Sequence, residues 1–578
     1  MTKRACIVYF LLLALLTVIY TVFLPETLRQ MEGTSFFTSD PDFFKEKLAE
    51  APGLTAWLSN FLLQFYRWPL AGMLADALIL TSIAALCGLI PSSLECKGFP
   101  ELSVLVPIAI LLLAPWNIKF HLEVLFFYSG IVCGLQLKPL WTKLIFLLLW
   151  PIAGFFLTGF VLLLLSIVVV TGYGFYKQRS IALPIAGIAS ICIAIATVYA
   201  SNEWLGFIPF EKRFLYIPEQ ISSIWLFILI FAGSVMLMMI PDNGKKRWTH
   251  LTSLSLSCAC IIGGVVYGAT NSEARSVEKY YFMTSLADKK DWSSLLSAIP
   301  REETLQNKMA LRFALLAEAG LGTYADNVFN YPIATTEDLL YRHEVNRNSC
   351  IFNRLFYDNL GIYDEAMRMS FEFGVMTPEG ICFNSLRQMI HYSILLGDYK
   401  VAEKYLKILS KSTFHSAWIE NERKFLQQQQ QKGIKKKPVL ADTFVNVYAM
   451  NSEMVRQLQV MPENRKVLDY LLTGLLMQRD LQKFAIIMRG FPIYKNQTLP
   501  GTYAQACSML ANSPEFNMHR QFKYSTDIDK QFMDFYRQSR QDKNAASMAQ
   551  YMGSYWYYYF YTEQENQDGQ ADGNRQVN

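Results

Sequence analysis

The chain has 578 residues, 52% hydrophobic and 17% charged, with 53 Lys and Arg against 48 Asp and Glu. That length allows more than one domain. The net charge of +5 does not indicate a nucleic-acid partner, because 17 of the 53 basic residues precede residue 271 and mostly flank apolar stretches, as a positive-inside bias would place them.

In chain order, Lys3-Arg4 is followed by an apolar run over 5–24. A run of that length crosses roughly 30 Å of hydrocarbon at about 1.5 Å per residue. No small-x-small cleavage site follows it: Phe23-Leu24-Pro25-Glu26 is a poor match, so the run reads as a retained span. Further spans are predicted over 69–90, 102–116, 121–137, 143–157, 158–176, 181–200, 222–240 and 251–269. The stretch 143–176 is too long for one crossing, and Pro151, Gly154 and Gly159 allow a reversal within it. About nine spans result.

Charge tests that division. One side receives Lys3-Arg4, Lys97, Lys138 with Lys143, Lys177 with Arg179, and Lys245-Lys246-Arg247. The other receives the loop 25–68, the turn around Asn117–Lys119 and the loop 201–221, which carry Glu26, Glu32, Asp40, Glu203 and Glu219 with Trp57, Trp68, Trp116 and Trp204. By the positive-inside rule the N-terminus is cytoplasmic and everything after residue 270 lies outside, in the periplasm of a Gram-negative cell or in the extracellular space. The expected fold is all-α: a transmembrane bundle over 1–270, a soluble helical domain over 271–562 and a disordered tail over 563–578.

Residues 271–562 show apolar periods near the helical 3.6. Leu360-Gly361-Ile362-Tyr363-Asp364-Glu365-Ala366 and Leu396-Gly397-Asp398-Tyr399-Lys400-Val401-Ala402 are alike and 36 residues apart. Gly permits a tight turn, Tyr packs across the helix pair and Ala allows close approach. Weaker echoes are Leu321-Gly322-Thr323-Tyr324-Ala325 and Arg479-Asp480-Leu481. These segments resemble tetratricopeptide repeats, whose period is about 34. The run Gln427–Lys437 reads as a polar helix breaking into a solvated charge run, and the aromatic Tyr555–Tyr561 as a final packed helix.

Of the ten cysteines, Cys350, Cys382 and Cys507 fall in the soluble half; buried thiols are expected, with a Cys350–Cys382 disulfide as the alternative. There is no phosphate-binding loop, no G-x-S-x-G, no H-E-x-x-H and no dinucleotide fingerprint, and these motifs leave the cofactor unknown. His121-Leu122-Glu123 is a His/Glu pair beside a span, but two residues do not define a metal site.

The loop 25–68 is where chemistry could reside. A short helix is expected from Asp40-Pro41-Asp42 to about Ala51, Pro52-Gly53 breaks it, and a second helix follows from Leu54 to Tyr66. This layout resembles the membrane-embedded GT-C glycosyltransferases, which use a lipid-linked sugar donor. The resemblance implies Glu26, then Glu32 and Asp40, as catalytic carboxylates, and Arg29, Arg67 or Arg213 as holders of a polyprenyl phosphate. Asp76, inside the second span, is costly there unless partnered or part of a substrate site. The chain also looks like uncharacterised bacterial membrane proteins with the same loop, from Phe61 to Gly72. Two functions follow as expectations. One is an envelope glycosyltransferase whose repeat domain binds a peptide, protein or glycan acceptor. The other is a non-enzymatic scaffold, anchored among membrane lipids, that docks a protein partner.

Overall fold

The computed structural model describes residues 3–95, 98–115, 117–205, 214, 247–341, 345–432, 450–511, 521–541 and 544–562. Among them the fold is helical throughout, with a lone bridge between Thr498 and Lys523 and no named strand. Two compact units form: Met1–Tyr281 with Lys407–Glu420, and Phe282–Leu406 with Asn421–Asn578. The chain therefore passes between them three times.

The first unit contains α1 (Lys3–Phe23), α2 (Pro25–Gly33), α3 (Pro41–Ala49), α4 (Gly53–Leu63), α5 (Pro69–Ser93), α6 (Leu105–Leu113), α7 (Ile118–Gln136), α8 (Leu140–Gln178), α9 (Ala182–Leu205) and α10 (Arg247–Thr270). Among the described residues, six of these helices are long and apolar enough to cross a membrane, counting α8 once. Their outward faces agree: Phe10 and Ile188 are 72% and 65% exposed. Leaving such side chains in water forgoes about 1.5–3 kcal/mol each, so a surface covered with them belongs in lipid. The predicted span 222–240 lies outside the described residues.

The long helix α8 is two arms. Gly159 sits at φ 73°, ψ 171°, outside helical geometry. Trp150 Nε1 donates to Ser166 Oγ at 2.9 Å. In a straight helix those residues would stand about 24 Å apart, so the chain folds back. Lys143 and Tyr173 also meet, with the ammonium 5.7 Å from the ring centroid. The reversal falls where the sequence splits 143–176.

The predicted span 102–116 is not one regular helix. A 3-10 turn over Pro100–Val104 leads into the nine-residue α6. Nine residues rise about 14 Å, less than the hydrocarbon thickness, and Val104, Val106, Ile110 and Leu111 are buried within the bundle. The segment still runs from one end of the bundle to the other. Pro100 meets Tyr9 beside Gly88, while Ala114 meets His121, the partner of Asp76.

These contacts sort the connections by end. At one end Thr55 donates to Leu157 O at 2.7 Å, Lys119 pairs with Glu50 at 3.8 Å, and Glu278 binds the start of α2. At the other, Lys177 pairs with Glu95, Tyr173 donates to Ser93 O, Gln178 donates to Lys138 O, and His250 packs on Phe99. From α1 to α9 the long passes of the chain thus alternate in direction.

The second unit is a series of helical hairpins, beginning from α11 (Ser272–Asp288), whose first residues belong to the first unit. It continues through α12 (Trp292–Ser297), α13 (Arg301–Gln306), α14 (Lys308–Leu321), α15 (Tyr324–Asn327), α16 (Arg347–Leu360), α17 (Tyr363–Val375), α18 (Phe383–Leu396), α19 (Tyr399–Leu409) and α20 (Ser416–Gln431). It ends with α21 (Met450–Val460), α22 (Arg465–Met477), α23 (Leu481–Gly490), α24 (Gly501–Met509), α25 (Thr526–Gln541) and α26 (Tyr555–Tyr561). Gly322, Gly361 and Gly397 stand at φ 79°, 75° and 81°, the left-handed cap that ends a helix and satisfies its last carbonyls. Lys290 and Arg479 take the same turn at φ 56° and 58°. In all five cases the next helix starts two residues on, at Trp292, Tyr324, Tyr363, Tyr399 or Leu481. Ala366 and Ala402 are fully buried, as close helix approach requires.

A non-glycine residue in this conformation costs roughly 1–2 kcal/mol. Gly361→Ala and Gly397→Ala are therefore each expected to lower stability by about 1 kcal/mol. Lys290→Gly is expected to match or exceed wild type, its exposed 3.3 Å pair with Asp358 being worth little. Thermal melts of the detergent-solubilised full chain check both signs.

Cys350 and Cys382 are both free and buried. Burial pushes the Cys350 thiol up to about 11, and Cys382 Sγ caps α18 by accepting from Ser385 N at 3.4 Å. The Gln run to Gln431 extends α20; Lys435–Lys437 and the tail 563–578 lie outside the described residues.

Candidate functional site

The loop 25–68 folds into α2, α3 and α4, followed by a 3-10 turn over Gln64–Arg67. Pro25 and Pro41 open α2 and α3 at positions where a missing N–H costs nothing. Asp40 caps α3, accepting from Asp42 N at 3.3 Å. The second helix begins after Pro52, as the sequence suggests, while α2 is a helix that the loop reading leaves out. An aromatic stair runs through the loop: Phe37 meets Phe43, Trp57 and Phe61 edge-on at 5.9, 5.5 and 5.4 Å, and Trp57 stacks on Phe61 at 6.2 Å.

The stair ends on a segment far away in sequence. Phe414 packs edge-on against Phe65 and Trp68 at 5.3 and 5.4 Å. Around it, residues 411–415 take up the loop's polar groups. Ser39 N donates to Lys411 O at 3.2 Å, and the Lys411 ammonium pairs with Asp40. Arg67 Nη1 donates to Phe414 O at 2.5 Å. Glu32 and His415 are 3% and 0% exposed, with Glu32 Oε1 2.8 Å from His415 Nε2. His415 Nδ1 lies 3.0 Å from Ser412 Oγ, so both ring nitrogens face polar partners.

Glu26 is used differently. Its carboxylate, 13% exposed, pairs with the half-exposed Arg29 of the same helix. The first turn of α2 is capped by Glu278, which accepts from Glu26 N at 3.0 Å, Thr27 N at 2.8 Å and Thr27 Oγ1 at 2.7 Å. An acid at a helix N-terminus meets the orphan amides and the positive end of the dipole.

Asp76 forms a second buried centre. Its Oδ1 lies 2.7 Å from His121 Nδ1, and His121 Nε2 lies 3.0 Å from Ala114 O. A carbonyl only accepts, so Nε2 is protonated. One further proton then lies between Nδ1 and Asp76. The pair is net neutral whichever atom holds it, which is what an apolar interior demands. The buried Tyr66 hydroxyl also bonds to Asp76, and burial with this neighbour holds the phenol well above its ordinary range.

Each described residue of the predicted site has a partner, and Glu32, Asp40 and Arg67 all meet the segment 411–415. Glu26 sits with Arg29, Glu32 with His415, Asp40 with Lys411, Arg67 with a backbone carbonyl and Asp76 with His121. Arg213 lies outside the described residues. Among the described residues no three metal-ligating side chains converge. A cavity of about 320 Å³ lies in the second unit, lined by Arg489, Lys495, Gln521 and Phe522.

The model of DUF6057, a family of unknown function, matches residues 1–562, which takes in both units. The chain belongs to this family. No curated protein and no solved structure matches the chain. For this DUF6057 member, three structural partners escape the sequence reading: Glu278, Lys411 and His415. Each lies hundreds of residues from the group it binds, and no local pattern joins them. His121 stands out in sequence through its neighbour Glu123, yet its bond is to Asp76, 45 positions away.

Proposed function

We propose that this chain is a non-enzymatic membrane scaffold whose array of helical hairpins, similar to tetratricopeptide repeats, binds a protein partner. The observation that carries this reading is the fate of the loop acids. A sugar transferase needs an acid free to take a proton from the acceptor or to hold a metal at the lipid phosphate. Glu26, Glu32 and Asp40 are instead each engaged by a basic side chain of their own unit. That arrangement supports the scaffold over the GT-C glycosyltransferase with its polyprenyl-linked donor.

The topology adopted in this reading has nine crossings, a cytoplasmic N-terminus and an array outside the plasma membrane. Basic residues at the Glu95–Lys177 end and acidic ones in the loop 25–68 support that orientation. On α17, Phe371 and Val375 are 55% and 54% exposed and one helical turn apart, an apolar pair suited to anchor a partner.

A photocrosslinking residue placed at 371 or 375 of the full chain in its native membrane is expected to yield one discrete protein adduct, absent when the probe replaces the exposed Glu463. Equal labelling from position 463, or no adduct from either α17 position, would count against the array as a docking face.

A further inference from the structure

The end of the bundle remote from the loop 25–68 gathers more cations than it neutralises. Lys138 precedes α8, Lys143 lies in its first turns, Lys177 in its last turn, and Arg179 caps it. Glu95 is the carboxylate in this cluster, and it pairs with Lys177. Among the described residues Lys143 has no carboxylate partner. Its side chain is 2% exposed, its ammonium faces the Tyr173 ring at 5.7 Å, and Lys177 is near enough to repel it. A lysine near a helix N-terminus also opposes the helix dipole. No side chain caps that N-terminus, where Pro139 is the capping residue.

We propose that this end holds a binding site for the phosphate headgroup of an anionic phospholipid, with Lys143 as its central cation and Lys138 and Arg179 at its rim. The proposal rests on the bundle lying in a bilayer, not on the scaffold reading. An anion here would meet the Lys143 ammonium and the uncapped amides of α8, the two groups that the protein leaves without negative charge. The surroundings favour a lipid over free phosphate. Trp141, Tyr176 and Ile181, on the same turns, are 65%, 69% and 72% exposed and would lie along acyl chains and the headgroup boundary. Arg179 stacks over Tyr176 at 5.3 Å, which holds its charge at that boundary.

The test is native mass spectrometry of the full chain released from micelles doped with equal phosphatidylglycerol and phosphatidylcholine. Wild type is expected to retain phosphatidylglycerol selectively. Lys143→Gln should reduce that retention about fivefold, the usual contribution of one basic residue near an anionic surface. Lys45→Gln, an exposed lysine of the opposite end, should leave it unchanged. Should Lys143→Gln fail to yield monodisperse protein, the double variant Lys138→Gln/Arg179→Gln, at two exposed positions, should show the same loss. Undiminished retention in the folded variant, an equal loss in Lys45→Gln, or full displacement of the lipid by millimolar inorganic phosphate would overturn the assignment.

Discussion

Glu32→Ala is expected to destabilise the full chain by about 3–5 kcal/mol, the cost of stranding one member of a buried ion pair. The magnitude follows from burial: neither partner has solvent to fall back on, and His415 Nε2 would lose the oxygen 2.8 Å away. A neutral hydrogen bond at the same place would cost only about 1–3 kcal/mol, so the size of the loss reports whether the pair is charged. His415→Ala should cost a similar amount, and the double variant much less than the sum, because each single change removes the same interaction. Urea midpoints of the purified protein in detergent measure all three. Additive losses would show that the two side chains are not coupled. If Glu32 were a catalytic base held for chemistry, its removal would abolish an activity with little change in midpoint.

Asp76→Ala is expected to cost about 1–3 kcal/mol, because it leaves His121 Nδ1 facing the apolar bundle with no partner. Asp76→Asn should cost less, since its carboxamide can still bond the imidazole. The double change Asp76→Leu/His121→Leu should recover most of the loss, as apolar replacement of a whole buried pair often does. The same midpoints decide it. A double variant as unstable as Asp76→Ala would mean that the cost lies outside the pair, in the stranded Tyr66 hydroxyl or in packing around α5 and α7.

Much of this architecture is visible in local sequence because its causes are local. Gly159 shows as a break in an apolar run, and the structure reverses the chain there. Gly361 and Gly397 show as turns because a residue without Cβ is needed at positive φ, and both adopt it. Lys290 escapes this reading because it takes the same turn without being glycine, as Arg479 does within a faint echo. The segment 102–116 shows as a span because its composition is apolar, yet composition does not reveal the 3-10 turn that Pro100 starts.

The partners of the loop acids are not legible in the sequence for a physical reason. A carboxylate near a membrane looks the same in sequence whether it takes a proton from a substrate or holds a distant lysine. What decides is the partner, and Lys411 and His415 arrive from a segment 371 and 383 residues away. The separate fold-back of 407–420 into the first unit has no periodic signature.

The proposed scaffold requires that the loop acids make structural contacts and carry no reaction. Glu26 gives the most direct test, because Glu26→Gln keeps the size of a side chain that is 13% exposed and leaves an oxygen that still accepts from Arg29. The decisive measurement is the envelope glycan and lipid-linked sugar profile of cells carrying Glu26→Gln at native expression, set beside wild type and a deletion. The profile is predicted to match wild type. A glycan lost alike in the deletion and in Glu26→Gln, with the variant protein still inserted in the membrane at normal level, would contradict the claim and restore the loop as a catalytic site.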